Sequence, residues 1–266
     1  MTTPRRTARA ARGSTAFRRI ARAGYVVLGA VHIVIGALAV SVATGGGHDA
    51  DQGGAMAQIR ETPVGGLLLW AIAAGLFALA AWQIVSAFVV ADPGDARRWA
   101  RRAKLLGMAA AYVAVGVTAL VFALGGRADS GEATQTLSAR VLAAPGGVVL
   151  LVAIGLGVVA VGAGFVVGAF TTAFTKTMEL PEHAGRRGVI ALGVVGYLAK
   201  GVAVAATGLL FVVAAWTHDP EKAAGLDGAL RSLAALPFGR LILWGVGLGL
   251  AVYGVFCSFR APLTRM

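Results

Sequence analysis

The sequence contains few of the residues that form disulfides and metal sites. Among 266 residues there is one cysteine, Cys257, and there are four histidines. A single cysteine cannot form an intrachain disulfide, and no spacing of cysteine and histidine resembles a zinc site. We therefore expect a protein without a disulfide, a bound metal or another cofactor.

Acidic residues are also scarce, with 12 Asp and Glu against 24 Lys and Arg. None of the acidic residues lies within the long apolar runs of the chain. No carboxylate pair, Ser-His-Asp set, phosphate-binding loop or zinc-binding helix can be assembled from the remaining residues. The sequence gives little support to a membrane enzyme acting on lipid, and we expect the protein not to be an enzyme.

Apolar residues, in contrast, are abundant and form long runs. Hydrophobic residues make up 58% of the chain, which also holds 38 glycines and has a mean hydropathy of +0.77. A helix needs roughly 20 apolar residues to cross the hydrocarbon core of a bilayer. Six runs are long enough: 23–43, 64–91, 105–125, 146–173, 188–216 and 238–259. They predict an all-α membrane protein with six transmembrane helices.

The net charge of +12 comes from short basic clusters between the apolar runs. A nucleic-acid-binding protein needs a continuous basic face, so nucleic acid is not an expected partner. Most Lys and Arg residues lie before the first run, after the last run, or in the loops that follow the second and fourth runs. Because cytoplasmic loops carry the excess of basic residues, we expect a multi-pass protein of the cell membrane with both termini in the cytoplasm.

An internal repeat connects the six runs. A proline precedes each even-numbered run, with glycine two and twelve residues later: Pro63, Gly65 and Gly75; Pro145, Gly147 and Gly157; Pro237, Gly239 and Gly249. In the odd-numbered runs, Gly36, Gly116 and Gly208 align. The apolar spacing before each proline predicts a short amphipathic helix on the outer surface. The proline then starts the next membrane helix at its first turn.

Each repeat is therefore predicted to be a hairpin of two membrane helices, with a period of roughly 80 to 90 residues. Three tandem hairpins share one orientation and form a pseudo-threefold six-helix bundle. The predicted divisions are a basic cytoplasmic arm (1–20), repeat 1 (21–95), repeat 2 (96–178) and repeat 3 (179–266). Small residues are expected to mediate helix packing at Ala160, Gly164, Gly168, Gly245 and Gly249.

Two segments in the first and third repeats are alike. They are ARAGYVVLGAVHIVIGALA at residues 21–39 and its weaker echo GYLAKGVAVAATGLL at residues 196–210. Together with the Pro-x-Gly starts, they resemble the domain of unknown function 1206 family of actinobacterial integral membrane proteins. Repeat 2 departs most, with Leu105 where the other repeats have Tyr25 and Tyr197. That family has no assigned activity, so the resemblance implies only the fold and the membrane location.

Three polar residues form a candidate intramembrane site: His32, Tyr112 and Lys200. Lys200 aligns with Leu28 and Met108, roughly 6 to 9 Å inside the cytoplasmic boundary. Its side chain can therefore snorkel to the headgroups, which is the expected role. Contact with a lipid headgroup or another anion, and a place on a solute pathway, are the alternatives.

His32 aligns with Tyr112 and lies one helical turn deeper than the Lys200 position. A neutral histidine near the bilayer centre needs a hydrogen-bond partner or water. We expect an interhelical hydrogen bond, with Tyr112 as the candidate partner. Proton or solute handling is the alternative.

Basic residues at the cytoplasmic ends of the odd-numbered spans are candidate contacts for anionic lipid headgroups. They are Arg18, Arg19, Arg22, Arg101, Arg102, Lys104, Arg186 and Arg187. We expect a non-enzymatic structural protein, or one that interacts with lipid or with a membrane protein partner. The alternative is a channel or carrier for a small solute or ion, with a path along the pseudo-threefold axis near His32. Apolar side chains sealing that axis would argue against a carrier.

Overall fold

The computed structural model describes residues 15–47, 49–89, 95–179 and 184–264. Within these ranges the chain forms nine α-helices and no β-strand. In chain order they are α1 (Thr15–Ala43), α2 (Gln52–Arg60), α3 (Gly65–Val89), α4 (Asp95–Ala123), α5 (Ser130–Ala143), α6 (Gly147–Phe170), α7 (Ala184–Thr217), α8 (Gly225–Ala234) and α9 (Gly239–Leu263). Short 3₁₀ turns follow α6 at Ala173–Thr177 and precede α8 at Pro220–Lys222.

Six of these helices are long and apolar enough to cross a membrane: α1, α3, α4, α6, α7 and α9. They coincide with the six predicted apolar runs. The shorter helices α2, α5 and α8 each connect the two spans of one repeat. We call the face of the bundle that carries these three helices the rim face. The opposite face, where α1 begins and α9 ends, is the terminal face.

The Pro-x-Gly sequence shapes the turn between each rim helix and the span that follows. The spans begin at Gly65, Gly147 and Gly239, so each proline lies in the turn that precedes the helix. The prediction that the proline lies in the first turn of the helix is wrong. A Cβ on these glycines would meet a carbonyl oxygen near the end of the rim helix, such as that of Ile59 or Val141. The glycine is therefore required for the close approach of the two helices.

The most extensive helix packing joins neighbouring repeats. It pairs α3 with α4, α6 with α7, and α9 with α1. In the pair formed by α1 and α9, Gly29 lies against the carbonyl of Gly254, and Gly36 lies against the carbonyl of Gly247. Lipid provides no hydrophobic drive for helices to associate, so close backbone contact at these glycines holds the first and last spans together.

The same contacts recur between α6 and α7. Four glycines meet there, Gly201 with Gly162 and Gly208 with Gly155. In both helix pairs the glycines on one helix are seven residues apart, which is two turns along a single helix face. In the pair formed by α3 and α4, Gly116 packs against the ring of Phe77. The internal repeat thus builds an interface between repeats three times, and two of the three interfaces use paired glycines.

Within a repeat, the two spans pack closely only in repeats 1 and 3. A Cβ on Gly24 of α1 would meet the backbone of Gly75 on α3, and Gly196 of α7 lies equally close to α9. Repeat 2 has Lys104 at the aligned position. Gly157, the equivalent of Gly75, faces open space, and the described parts of α4 and α6 make almost no contact.

The predicted pseudo-threefold bundle of three tandem hairpins stays a prediction, and the packing of the spans is uneven. The closest pairs form between repeats, and the ring of spans is open between α4 and α6, where repeat 2 has Lys104 in place of the glycine found at the crossing in repeats 1 and 3. We call this opening the α4/α6 cleft.

The prediction that five small residues mediate helix packing is only partly correct. Gly164 and Gly245 face open space, and Ala160 is exposed. Gly168 and Gly249 do pack, both against residues of α7. The expectation was wrong for the other three because the packing stripes of α6 and α9 lie on different faces of those helices.

The rim helices form a connected layer over the spans. Arg60 of α2 donates a 3.1 Å hydrogen bond to the carbonyl of Gly125, which follows α4. Gln135 of α5 donates a 3.0 Å hydrogen bond to the carbonyl of Glu221 in the third repeat. Asp227 of α8 accepts a 2.8 Å hydrogen bond from the loop before α2. Each rim helix is thus tied to a neighbouring repeat, and the α4/α6 cleft ends at this layer.

Candidate functional site

His32 and Lys200 meet inside the bundle, between α1 and α7. The Lys200 Nζ lies 3.1 Å from Nε2 of His32, and Nδ1 of the same ring lies 2.8 Å from the carbonyl oxygen of Leu28. An ammonium group can only donate hydrogen bonds. Nε2 therefore accepts, and Nδ1 carries the proton that is donated to Leu28. The pair is a neutral imidazole bound to a cation.

Aromatic rings from α6 and α9 surround the Lys200 ammonium. Nζ lies 4.3 Å from the ring centroid of Tyr253 and 5.3 Å from that of Phe165. The Tyr253 ring also packs on His32, with 4.8 Å between the ring centroids. The face of an aromatic ring attracts a cation, by about 2 kcal/mol when both are desolvated. These rings therefore stabilise a charge in the interior.

A second cation, Arg260, lies on α9 closer to the terminal face. Its guanidinium donates a 2.9 Å hydrogen bond to the hydroxyl of Tyr197 and lies 5.3 Å from the ring centroid of Tyr25. Its Nε is buried and has no hydrogen-bond partner among the described residues. An unpaired buried donor costs about 1–3 kcal/mol, so this part of the guanidinium is energetically unsatisfied.

We call Tyr25, His32, Tyr197, Lys200, Tyr253 and Arg260 the cation site. All 12 Asp and Glu of the chain lie outside the six spans, so no carboxylate neutralises the site from within them. In the described residues, no cluster of His, Cys, Asp and Glu could hold a metal ion. A buried charge is costly unless it is paired. The cation site therefore favours binding of an anion.

The cation site has two levels. Tyr25 and His32 are seven residues apart on α1, and Tyr253 and Arg260 are seven residues apart on α9. This spacing corresponds to about 10 Å along each helix. Toward the rim face, the interior between these helices is filled by buried apolar side chains, which we call the apolar plug: Ile35, Leu38, Leu243, Val246 and Leu250. The polar groups thus do not continue to the rim face along α1 and α9.

Two of the three residues predicted for the site lie in contact, His32 and Lys200. The expected hydrogen bond from His32 to Tyr112 is wrong, because both ring nitrogens of His32 have other partners. Tyr112 packs against the core from α4 and lies close enough to Arg260 to interact with it electrostatically. The expected snorkelling of Lys200 is also corrected, because its ammonium turns inward to the imidazole and the aromatic rings.

Arg260 was missed by the sequence analysis. The last predicted apolar run ends at residue 259, so Arg260 was counted with the basic C-terminal segment. A signal was nevertheless available, because Tyr253 and Arg260 have the same seven-residue spacing as Tyr25 and His32. Polar residues at that spacing lie on one helix face.

The basic residues predicted to contact lipid headgroups lie near the starts of α1, α4 and α7. Those with exposed side chains are Arg19, Arg22, Arg101, Lys104, Arg186 and Arg187. Arg102 is half-buried, with its guanidinium 5.6 Å from the ring centroid of Trp99. The side chain of Arg18 and residues 1–14 of the predicted basic arm lie outside the described part of the chain. The described clusters all lie at the terminal face.

Six apolar helices of membrane length, arranged as three repeats, define a multi-pass membrane protein. The family model described as Domain of Unknown Function (DUF1206) matches the chain three times, at residues 23–89, 103–172 and 195–262. These matches correspond to the two spans of each repeat. The chain belongs to this family.

A relative in Bacillus subtilis (strain 168) has the name "Uncharacterized protein YxxB". It is 34% identical over 260 residues, which cover 94% of this chain and 92% of the relative. The relative does not come from an actinobacterium, so the expected restriction of the family to actinobacteria is not supported. No solved structure matches the chain.

Proposed function

We propose that this protein is a non-enzymatic, multi-pass protein of the cell membrane that binds anionic lipid headgroups at its terminal face. One observation carries the proposal. Each of the three spans that begin at the terminal face, α1, α4 and α7, begins with exposed basic side chains.

The reason that these clusters act together is the repeat. Because each repeat contains two spans, the first span of every repeat starts on the same side of the bundle. A Lys or Arg near an anionic membrane surface contributes about 1 kcal/mol to the attraction. Lys104 adds a charge at a position where the other repeats have Gly24 and Gly196. The terminal face is therefore suited to an anionic leaflet.

The same charge distribution supports cytoplasmic termini, because Lys and Arg are enriched on the cytoplasmic side of membrane proteins. The rim face would then lie outside. Labelling of Thr44→Cys, a rim-face position, by an impermeant thiol reagent on intact cells tests this orientation. Absence of labelling until the cells are opened would reverse it.

A carrier for a small anion is the alternative function, and the buried contact between Lys200 and His32 favours it. A carrier needs a path that reaches both faces. The apolar plug between α1 and α9 argues against such a path, so lipid binding is the better-supported function.

The experiment compares the association of spin-labelled phosphatidylglycerol and phosphatidylcholine with the protein in reconstituted vesicles. We expect the protein to prefer phosphatidylglycerol. The preference should decrease when Arg101, Lys104, Arg186 and Arg187 are all changed to Gln. It should also decrease at high salt, because exposed charges are screened.

A matched control changes four exposed basic residues on the rim side to Gln: Arg127, Arg140, Lys222 and Arg240. These residues are dispersed, and Lys222 is paired with Asp219 at 3.6 Å. We expect a smaller loss of preference than for the terminal-face variant. Equal losses, or no preference in the unmodified protein, would refute the proposed function.

A further inference from the structure

The cation site borders the α4/α6 cleft. The ring centroid of Phe165 on α6 lies 5.3 Å from the Lys200 ammonium, and Tyr112 of α4 packs against the hydrophobic core that includes Tyr25. The two helices that flank the cleft therefore each contribute an aromatic ring to the interior in which the cations lie.

We propose that the cation site binds the phosphate of one anionic lipid molecule, whose acyl chains lie in the α4/α6 cleft. This inference deepens the proposed function and rests on it for the class of ligand. The buried site differs in location from the lipid contacts of the proposed function, because those contacts are exposed and the cation site is inside the bundle.

The cations can act on a single phosphate because their side chains lean toward each other. Helical side chains point toward the N-terminus of their own helix. Lys200 on α7 therefore leans toward the terminal face, and Arg260 on the antiparallel α9 leans toward the rim face. Cys257, which lies between them in height, interacts electrostatically with both.

Hydrogen-bond donors remain available for the phosphate oxygens. A lysine ammonium has three donors, and among the described residues only His32 accepts one from Lys200. The buried Nε of Arg260 has no partner in that part of the chain. Charge-assisted hydrogen bonds of this kind are roughly twice as strong as neutral ones. The ligand would pair both charges at once.

The cleft favours a lipid over a free phosphate ion. The two helices that flank it, α4 and α6, are apolar there and carry exposed small residues, among them Gly157, Ala160 and Gly164 on α6 and Gly107 and Ala114 on α4. A Cβ on Gly107, Gly157 or Gly164 would meet no atom within 4 Å. Acyl chains can occupy such a space, whereas a free ion would gain nothing from it. The apolar plug prevents the headgroup from moving further toward the rim face.

The test is calorimetric titration of the full-length protein in a neutral detergent with dioctanoyl phosphatidylglycerol. Titration at about 0.5 M NaCl screens the exposed basic clusters, so the buried site is the main contributor to the measured heat of lipid binding. We expect one lipid to bind per chain, and dioctanoyl phosphatidylcholine to bind much more weakly. Equal binding of the two lipids would overturn the proposal.

The repeats supply substitutions that the fold already tolerates at aligned positions. Lys200→Met introduces the residue found at Met108, and Arg260→Ser introduces the residue found at Ser86. Each should weaken lipid binding about tenfold or more, a change of about 1.4 kcal/mol. Arg240→Ser removes the same charge from the rim end of α9 and should leave binding unchanged. Unchanged affinity in Lys200→Met and Arg260→Ser would refute the site.

A second variant covers the case in which loss of a buried cation disturbs the fold. Gly157→Leu with Gly164→Leu adds bulk at two exposed positions of α6, where a Cβ would meet no described atom within 4 Å. It should weaken binding of the lipid while the thermal midpoint stays unchanged.

Inorganic phosphate serves as the second probe. If it binds at the cation site as tightly as the lipid and displaces it, the ligand is a free anion and the lipid proposal is wrong.

The two proposals can fail separately. If neutralising the surface clusters leaves the lipid preference in vesicles unchanged but Lys200→Met abolishes the titration signal, the surface function is wrong and the buried site stands. The reverse result would retain surface binding and exclude the buried site.

Discussion

Asp51 is a buried carboxylate at the start of rim helix α2. It is 3% exposed, and its side chain accepts a 2.9 Å hydrogen bond from the amide of Gly54, which caps the helix. Burial, together with the nearby carboxylates of Asp227 and Asp49, raises the pKa of Asp51 from 3.8 to about 6, against the lowering effect of the hydrogen bond from Gly54. The folded protein therefore holds this proton more tightly than the unfolded chain does.

The sign of the pH dependence follows from that difference. Below pH 3.8 the carboxyl is protonated in both states, and its full contribution to stability is present. As the pH rises from 3.8 to about 6, the unfolded chain ionises first and stability decreases by about 3 kcal/mol. Above that range the contribution is constant.

We predict that Asp51→Asn removes this dependence. Asn caps helices as well as Asp does and carries no charge, so the variant should be more stable than the unmodified protein above pH 6. Thermal unfolding in detergent between pH 4 and pH 7 measures the effect. Asp129→Asn at the exposed cap of α5 controls for the loss of a capping carboxylate. Parallel pH profiles for Asp51→Asn and the unmodified protein would contradict the prediction.

At the scale of elements, one aligned position differs between the two repeats whose spans pack and the repeat whose spans do not. Gly24 and Gly196 allow the close crossings in repeats 1 and 3, and Lys104 replaces them in repeat 2. The sequence alignment already contained this difference. Its consequence could not be predicted, because the crossing partners of each helix are set by the assembled bundle and not by the period of the repeat.

We predict that Gly24→Lys and Lys104→Gly have very different effects on stability. A side chain at Gly24 would meet the backbone of Gly75 and the side chain of Leu79. Such overpacking should lower the free energy of unfolding by about 1–3 kcal/mol or more. Lys104 is exposed, and its replacement should cost no more than about 1 kcal/mol, the helix-propensity penalty of a glycine. Thermal midpoints in one detergent compare the two, and equal decreases would show that the crossing is not at Gly24.

The features predicted correctly from sequence were those that depend on local pattern. The length of the apolar runs predicted the six spans, and the apolar spacing before each Pro-x-Gly sequence predicted the rim helices. The orientation of Lys200 was not predictable, because it depends on His32, which lies 168 residues away along the chain. The exposure of Ala160 and Gly164 on α6 was likewise hidden, because spacing does not tell which face of a helix has a partner.

At the scale of the whole molecule, the pairing of α9 with α1 joins the two ends of the chain. The three interfaces between repeats arrange the repeats in a ring. Two of them join spans that follow one another in the chain, α3 with α4 and α6 with α7. The third interface forms only when the last repeat meets the first. This arrangement differs from three independent hairpins, which would each be complete without the others.

We predict that Gly29→Cys forms a disulfide with the native Cys257. A Cβ at Gly29 would lie 3.3 Å from the Cβ of Cys257, close to the roughly 3.5 to 4.5 Å found in disulfides. It would also lie 2.5 Å from the carbonyl oxygen of Gly254, so α1 and α9 must separate slightly to admit the side chain, which also lengthens the Cβ–Cβ distance. A membrane-permeant oxidant should link α1 to α9, which a shift in gel mobility after cleavage between repeats would detect. Gly107→Cys, which faces open space, should not react with Cys257. Equal linkage in both variants would contradict the pairing.

The pairing of the first and last spans also determines the order in which the protein can be completed during its synthesis. At about 5–20 residues per second, α9 leaves the ribosome roughly 10–40 s after α1. During that interval α1 resides in the bilayer with Gly29 and Gly36 facing lipid instead of their partners on α9. A nascent chain that stops before α9 would keep this surface exposed indefinitely. Such a chain would be a substrate for membrane quality control even though five of its spans had inserted correctly.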